Sequence, residues 1–98
     1  MSKYAKKVDV NHSEIKNYYK CLCGDSNVLD TSKFGFGFSD LLVRHRNRLL
    51  FIEIKRDDKA KLTKAEKIFQ EFVGEENYIV VKDFLDVEKS IGWHIWKK

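Results

Sequence analysis

Residues 37–55, GFSDLLVRHRNRLLFIEIK, limit the possible folds more than any other stretch, because they read as two short strands joined by a tight turn. A two-residue turn at positions 46 and 47, or a four-residue turn in the same register, places Asp40 directly opposite Glu53. Residues opposed on one face of a sheet have Cβ atoms about 4.5–5.5 Å apart, and like charges placed there repel. The sequence therefore predicts two carboxylates held together against their mutual repulsion.

A divalent cation would stabilise this pair. Lys55 lies two residues beyond Glu53 and so faces the same side of the strand. Mg²⁺ typically takes one or two carboxylates and keeps several of its waters, so a cation between the acids would remove the repulsion. The alternative is a surface salt bridge in which Lys55 neutralises Glu53 or Asp40, an interaction worth about 0–1 kcal/mol.

The composition indicates one folded domain over residues 1–98, with residues 1–11 as a flexible basic lead. No apolar run is long enough to span a membrane or to act as a signal peptide, so we expect a soluble intracellular protein. Nineteen Lys and Arg against fifteen acids give a net charge of +4, which suits a polyanion such as nucleic acid. Cys21 and Cys23 are expected to be free thiols.

The residues before the hairpin are predicted to form a helix and a strand. Ser13 is placed to cap a helix that runs to about Cys23, where Gly24 would end it. Residues 27–34 read as a short strand. In residues 34–38 phenylalanine alternates with glycine, which indicates a bend and one packed aromatic face, with base stacking as the alternative role. The predicted buried face of the helix has helical spacing: Ile15, Tyr18, Tyr19 and Leu22.

The residues after the hairpin are predicted to complete a βαβ unit and to add a last helix. Thr63 and Glu66 have the T-x-x-E spacing of a capping box, and Gly74 would end that helix. Residues 77–81 read as a buried strand, expected to lie parallel to the strand before the helix. Asp83 is placed to cap the last helix. The apolar face of the capped helix is expected to contain Ile68, Phe69, Phe72 and Val73.

The order α, β, β, β, α, β, together with the segments GFSD, EIK and LTKAE, resembles the PD-(D/E)xK nuclease superfamily. Within it, the chain is similar over residues 13–92 to the virus-type replication-repair nuclease domains called VRR-NUC. The resemblance implies an α/β fold with a restriction-endonuclease-like αβββαβ core, in which helices flank a mixed central sheet. Ser39 stands where the motif usually has proline.

The resemblance also implies a catalytic site. Asp40 would match the Asp of the first half-motif, and Glu53 with Lys55 would match the ExK half. Together with the backbone carbonyl of Ile54, the two acids would hold Mg²⁺ or Mn²⁺, and Lys55 would orient a water or stabilise developing negative charge. The family often supplies a further acid from its first helix, which Glu14 would match.

Two of these positions have alternatives. Glu14 lies in the first turn of the predicted helix, where an acid also stabilises the helix dipole. Glu66 stands where the family usually has glutamine, and its capping-box role competes with a catalytic one.

The activity that the resemblance implies is a structure-selective DNA endonuclease, acting like a Holliday-junction resolvase on branched DNA. By the same analogy we expect a homodimer in the cytoplasm of a bacterial or phage-infected cell. The alternatives are a nuclease of flap, nick or homing type, an inactive DNA-binding module, and an interaction domain that uses the aromatic segment around Trp93 and Trp96. The residues expected to grip DNA phosphates, or simply to be solvated charges, are Arg44, Arg46, Arg48, Arg56, Lys59, Lys61 and Lys64.

Overall fold

The computed structural model describes residues 3–56 and 60–92, with their side chains from residue 11 onward. Lys59, predicted to contact DNA, and the aromatic segment around Trp93 and Trp96 lie outside the described residues. The described residues form a mixed α/β fold, and no helix among them is both long and apolar enough to cross a membrane. Its elements are helix α1 (Lys3–Cys23), strands β1 (Val28–Asp30), β2 (Leu41–His45) and β3 (Arg48–Ile54), helix α2 (Lys64–Val73), strand β4 (Tyr78–Val81) and helix α3 (Phe84–Ser90).

The four strands form one sheet in the order β1-β2-β3-β4. Strands β1, β2 and β3 pair antiparallel, and β4 pairs parallel to β3 as the βαβ prediction requires. Helices α1 and α3 cover one face of the sheet, whereas α2 lies on the other. The core between the sheet, α1 and α3 contains Ile15, Tyr19, Val28, Leu41, Val43, Leu50, Ile52, Val81, Val87 and Ile91.

The β2–β3 hairpin closes through the predicted two-residue turn. Arg46 and Asn47 have φ angles of 54° and 66°. Positive φ at both central residues is typical of the mirror-image turns whose twist matches that of paired strands. Leu41 lies opposite Ile52, and the pairing continues to the turn. The predicted turn and the register that follows from it are confirmed.

Helix α1 begins at Lys3, ten residues before the predicted start at Ser13. The residues assigned to a flexible lead therefore belong to the helix from position 3, and Ser13 is an exposed residue within it rather than a cap. Neither glycine nor proline interrupts Lys3–Cys23, and one serine costs a helix only a few tenths of a kcal/mol relative to alanine. A favourable capping residue is thus not sufficient evidence that a helix starts there.

Strand β1 is shorter than predicted, because it ends at Asp30 rather than near residue 34. One carboxylate oxygen of Asp30 accepts hydrogen bonds from the backbone N–H of Ser32 (3.0 Å) and from its hydroxyl (2.6 Å). An aspartate bonded to the backbone two residues on forms a local turn that competes with strand pairing. The chain consequently leaves the sheet at this point.

Helix α2 contacts the sheet through a narrower stripe than predicted. Its capping box is confirmed, and it ends at Gly74 as expected. The ring of Phe69 packs against Phe38, with ring centroids 4.7 Å apart. Ile68 and Phe72 were predicted to be buried, but Phe72 is 85% exposed and Ile68 is exposed as well. Successive residues of a helix are about 100° apart around its axis. Because Phe69 faces the sheet, Ile68 and Phe72 point away from it.

Candidate active site

Glu53 lies on the face of the sheet that α2 covers, and Asp40 lies near it. The paired register of the hairpin ends at Leu41 with Ile52, and Asp40 directly precedes β2. The Asp40 N–H donates to the Ile52 carbonyl at 2.9 Å, and the charge of Asp40, after the larger effect of burial, raises the pKa of Glu53. An Asp40 carboxylate oxygen also accepts the Ile54 N–H at 2.8 Å. The two acids therefore lie near each other, and their direct opposition in the register stays a prediction.

Buried polar residues fix the backbone on either side of Asp40. Thr31 donates its N–H to the Asp40 carbonyl (2.9 Å) and its hydroxyl to the Ser39 carbonyl (2.7 Å). The Ser39 hydroxyl donates to the Leu41 carbonyl at 3.0 Å. Serine therefore meets its hydrogen-bonding needs where the family motif has proline. The sequence analysis missed Thr31, because the turn that brings it back to Asp40 depends on where β1 ends.

Glu53 is a buried carboxylate among charged neighbours. Glu53 is only 5% exposed to solvent. The Tyr78 hydroxyl donates to one of its oxygens at 3.3 Å, and the Lys55 ammonium lies 3.5 Å from the other. Burial, and then the negative charges of Asp40 and Glu66, raise the pKa of Glu53 to about 8 against the opposing effect of Lys55. The site thus contains more negative charge than its one lysine compensates.

Lys55 is held between two carboxylates. Its Nζ lies 3.0 Å from Glu66 Oε1 and 3.5 Å from Glu53 Oε2. Burial lowers the pKa of Lys55, but the hydrogen bond and charge of Glu66, together with the charge of Glu53, outweigh it and leave the pKa raised. Lys55 is therefore a fixed cation at neutral pH rather than a base.

Glu66 forms the predicted capping box and also contacts Lys55, while a catalytic role for it stays a prediction. Its Oε1 accepts the Thr63 N–H at 2.9 Å, as in a capping box, and the same atom accepts from Lys55. Burial raises the pKa of Glu66, but the bonds from Thr63 and Lys55 more than offset this and lower it overall. The first turn of α2 consequently positions the lysine of the site.

Tyr78 is a site residue that the sequence analysis did not identify. It is buried on β4, and burial followed by the charge of Glu53 raises the pKa of its phenol. The register between β3 and β4 places Val80 beside Glu53, so Tyr78 lies one step away on the same face. Sequence patterns do not determine the register of a parallel pair, and this register alone connects Tyr78 to Glu53.

Glu14 lies near the same end of the sheet but on the side of α1 and α3. It is exposed and lines a cavity of about 450 Å³ together with Lys82 and Asp83, which follow β4. The charges that act on Glu53 come from Asp40, Glu66 and Lys55. The structure does not bring Glu14 into that group, and its role in metal binding stays a prediction.

Two carboxylates and one carbonyl provide the candidate ligands for a cation. In an extended strand the N–H and C=O of one residue point to the same edge, so the Ile54 carbonyl faces Asp40 as its N–H does. This set suits Mg²⁺, which takes one or two carboxylates and completes its shell with water. Burial, and after it the charges of Asp40 and Glu66, raise the pKa of Glu53, and a cation would offset both effects. Within residues 3–56 and 60–92, no group of three or more His, Cys, Asp or Glu side chains is arranged to hold a metal.

The basic residues predicted to contact DNA fall into two groups. Arg44, Arg46 and Arg48 lie at or beside the hairpin turn. At about 3.3 Å per strand residue, Arg44 is roughly 13 Å and the turn at Arg46 roughly 20 Å from Asp40, and Arg48 pairs with His45 between them. In this group Arg48 donates to the Glu76 carbonyl (3.0 Å) and Arg44 to Asn47 Oδ1 (3.3 Å). The other group is exposed near Lys55 and the start of α2 and consists of Arg56, Lys61 and Lys64. Only the second group is near the acidic residues.

Comparison with protein-family models, with curated proteins and with solved structures finds no match for this chain. The functional argument therefore depends on the chemistry of the site. Paired carboxylates beside a fixed ammonium can bind a hard cation and stabilise negative charge on an oxyanion.

Proposed function

We propose that the chain is a Mg²⁺- or Mn²⁺-dependent endonuclease that hydrolyses phosphodiester bonds in DNA. The observation that carries this proposal is the proximity of Asp40 to the buried Glu53, with the Lys55 ammonium 3.5 Å from Glu53. The order α1-β1-β2-β3-α2-β4 also supports a restriction-endonuclease-like organisation. The motif positions of the PD-(D/E)xK nucleases correspond in this chain to Asp40, Glu53 and Lys55.

The cation would be held by Asp40, Glu53 and the carbonyl of Ile54. When bound, it supplies Lewis acidity toward a phosphoryl oxygen and lowers the pKa of a water. Asp40 is fixed for this task by the Ile54 N–H, which leaves its second oxygen available. Glu53 is fixed by Tyr78, which donates to one of its oxygens. Both carboxylates are thus oriented before a ligand arrives.

Lys55 would stabilise the negative charge that develops on the phosphoryl oxygens or would orient the attacking water. Its raised pKa keeps it protonated, and Glu66 holds its ammonium on the side of the acids. A preorganised cation needs no reorientation as the charge develops, which is the main source of its catalytic effect. Glu66 acts in this scheme as a positioning residue.

The proposed substrate is branched DNA, cut by a homodimer in the manner of a Holliday-junction resolvase. The net charge of +4 and the exposed basic residues beside the site favour a polyanion. A domain of this size offers little surface for long base-specific contacts, so recognition of backbone and shape suits it better than sequence readout. Flap, nick and homing specificities are the alternatives within the same chemistry.

The proposal is tested by comparing Asp40→Asn, Glu53→Gln and Lys55→Ala with the wild type in cleavage of branched, flapped, nicked and linear DNA. Asparagine keeps an oxygen that accepts the Ile54 N–H, so the first variant removes charge while preserving the hairpin. We expect each variant to lose at least about 10²-fold in rate, the scale of removing one electrostatic contact from a catalytic site. EDTA should abolish wild-type cleavage.

Glu71→Gln provides the matched control. Glu71 is an exposed glutamate on α2, so its substitution removes the same charge without touching the site. Its cleavage rate should equal that of the wild type. Full activity in all three site variants would exclude the nuclease proposal, whereas metal-independent binding without cleavage by the wild type would favour a DNA-binding module.

A further inference from the structure

Phe36 presents nearly its whole side chain to solvent. It is 96% exposed, although the sequence pattern predicted that it would share a packed face with Phe34 and Phe38. That prediction is wrong because residues 31–38 form two consecutive turns rather than an extended segment. The Phe34 N–H donates to the Thr31 carbonyl (3.1 Å) and the Phe38 N–H to the Gly35 carbonyl (3.0 Å).

The backbone of Phe36 adopts a conformation that phenylalanine disfavours. Its φ is 57°, and that of Gly37, the next residue of the turn, is 79°. Turns with positive φ at both central positions are dominated by Gly, Asn and Asp. A bulky residue there is strained, and this one buries no apolar surface in return. Stability therefore does not account for an aromatic ring at this position.

The turn is anchored immediately beside the proposed site. A Cβ added to Gly37 would lie 2.5 Å from the Ala65 carbonyl oxygen and 2.8 Å from the Glu66 nitrogen, so the turn packs directly on the first turn of α2. Glu66 in turn contacts Lys55 at 3.0 Å. The exposed ring thus extends from a segment that is in contact with the residue positioning the lysine.

A second set of contacts fixes the base of the turn. The ring of Phe38 lies 5.1 Å from Phe34 and 4.7 Å from Phe69 between centroids, and Phe69 packs on Phe51 at 5.4 Å. Phe34 keeps this contact while being 61% exposed. Phe36 is therefore held away from the protein by a packed aromatic base rather than left on a loose loop.

We infer that Phe36 stacks on an unpaired nucleobase of the DNA strand that enters the site, an inference that rests on the proposed function. Every base has a π-face, so a solvent-exposed ring beside a phosphodiesterase site provides a sequence-independent contact. Lys33, Lys61 and Lys64 are exposed near the turn or near the start of α2 and carry the charge that the neighbouring phosphates require. A base inside a duplex is already stacked on both sides, so the contact selects DNA with unpaired bases at the branch.

The test measures equilibrium binding in EDTA at one fixed salt concentration, so that no cleavage occurs. The probes are a flapped DNA with 2-aminopurine in its unpaired arm and a fully paired duplex with 2-aminopurine at an internal position. The variants are Phe36→Ala, Phe36→Trp, which keeps an aromatic face, and Phe72→Ala as the matched control. Phe72 is another highly exposed phenylalanine (85% exposed). It lies six residues beyond Glu66 on α2, about 9 Å along the helix.

We expect Phe36→Ala to weaken binding of the flapped DNA roughly tenfold, which corresponds to about 1.4 kcal/mol. Its affinity for the duplex should change less than twofold. The change in 2-aminopurine fluorescence on binding should disappear with alanine and be retained with tryptophan. Phe72→Ala should match the wild type with both probes.

Three results would overturn the inference. The first is wild-type affinity of Phe36→Ala for the flapped DNA, and the second is an equal loss for both DNAs. The third is a change in the sedimentation mass of the free protein on substituting Phe36, which would identify the ring as a contact between copies of the chain. The thermal midpoint of Phe36→Ala should equal that of the wild type, because the ring packs on nothing.

The experiment separates this inference from the proposed function. Binding is read without metal, so a selective effect of Phe36 can be observed even if the wild type cleaves no DNA. Failure of cleavage with Mn²⁺ would remove the nuclease proposal only. Failure of the Phe36 variants to distinguish flap from duplex, in a protein that does cleave DNA, would remove base stacking only.

Discussion

At the scale of single residues, Glu53 is a carboxyl group whose ionisation the fold disfavours. The carboxyl is buried, and two further carboxylates lie near it, so its pKa is raised to about 8. A stability-driven sequence would place an amide or an apolar residue there. A bound cation would remove this repulsion, and without one the raised pKa gives the protein a distinctive dependence on pH.

We predict that the free energy of unfolding of the metal-free protein falls as pH rises from near the ordinary glutamate pKa to about 8. Within this window native Glu53 keeps a proton that the unfolded chain releases, so rising pH favours unfolding. The slope contributed by one such group reaches about 1.4 kcal/mol per pH unit. Urea denaturation in EDTA at several pH values measures it.

Glu53→Gln supplies the comparison for this prediction. Its side chain does not titrate, so the difference in stability between wild type and variant isolates the contribution of Glu53 from that of the rest of the protein. The wild type should lose stability relative to the variant as pH rises. Parallel curves for the two proteins would show that Glu53 has an ordinary pKa.

At the scale of elements, the turn at residues 35–38 and helix α2 depend on each other. Gly37 approaches the α2 backbone so closely that a Cβ has no room, whereas a Cβ on Gly35 would meet nothing within 4 Å. Both glycines have positive φ, at 79° and 76°. Both positions therefore require a left-handed backbone, but only at Gly37 would a side chain also collide with α2.

We predict that Gly35→Ala lowers the free energy of unfolding by about 1–2 kcal/mol, the cost of a left-handed backbone for a residue with a Cβ. Gly37→Ala should cost a further amount of about 1–3 kcal/mol, since it must also push the turn away from α2. Chemical denaturation with equal m values for both variants measures the difference. Equal losses would mean that the turn does not rest on the helix.

The elements also show what the sequence determines by itself. Local chemistry specified the turn at residues 46–47, the capping box at Thr63 and the end of α2 at Gly74, because each depends on residues a few positions apart. From the turn alone, the hairpin register as far as Leu41 opposite Ile52 followed, and this register brings Asp40 near Glu53. The contact of Tyr78 with Glu53 depends on a parallel register, and the exposure of Phe36 depends on where α2 sits, so neither was accessible before the chain was folded.

At the scale of the whole molecule, large apolar side chains remain exposed on the side of the sheet opposite α1 and α3. Ile68 extends from α2, and Leu49 on β3 and Val80 on β4 are exposed on the face that also carries Glu53. Exposed apolar side chains on a small domain can mark an interface. This distribution is compatible with the homodimer that the proposed resolvase activity requires.

We predict that the protein sediments as a dimer and cleaves a four-way junction faster than linear duplex of the same sequence. A two-fold dimer presents two sites to two strands, so cuts should occur in pairs on opposing strands. Sedimentation equilibrium gives the mass, and labelled strands locate the cuts. A monomer that cuts all DNA alike would exclude the resolvase reading while leaving phosphodiester hydrolysis in place.

Because one oxygen of Glu66 receives both the Thr63 N–H and the Lys55 ammonium, few other residues can serve at this position. Glutamine has an oxygen at the same reach and would satisfy both donors, although without the charge. Aspartate is too short and alanine has no acceptor, so the Thr63 N–H, the Lys55 ammonium or both would lose their hydrogen-bond acceptor. A single substitution would therefore fray the start of α2 and also free the Lys55 side chain. Natural variation at position 66 should accordingly be confined to glutamate and glutamine, even in descendants that have exchanged most of the surface around it.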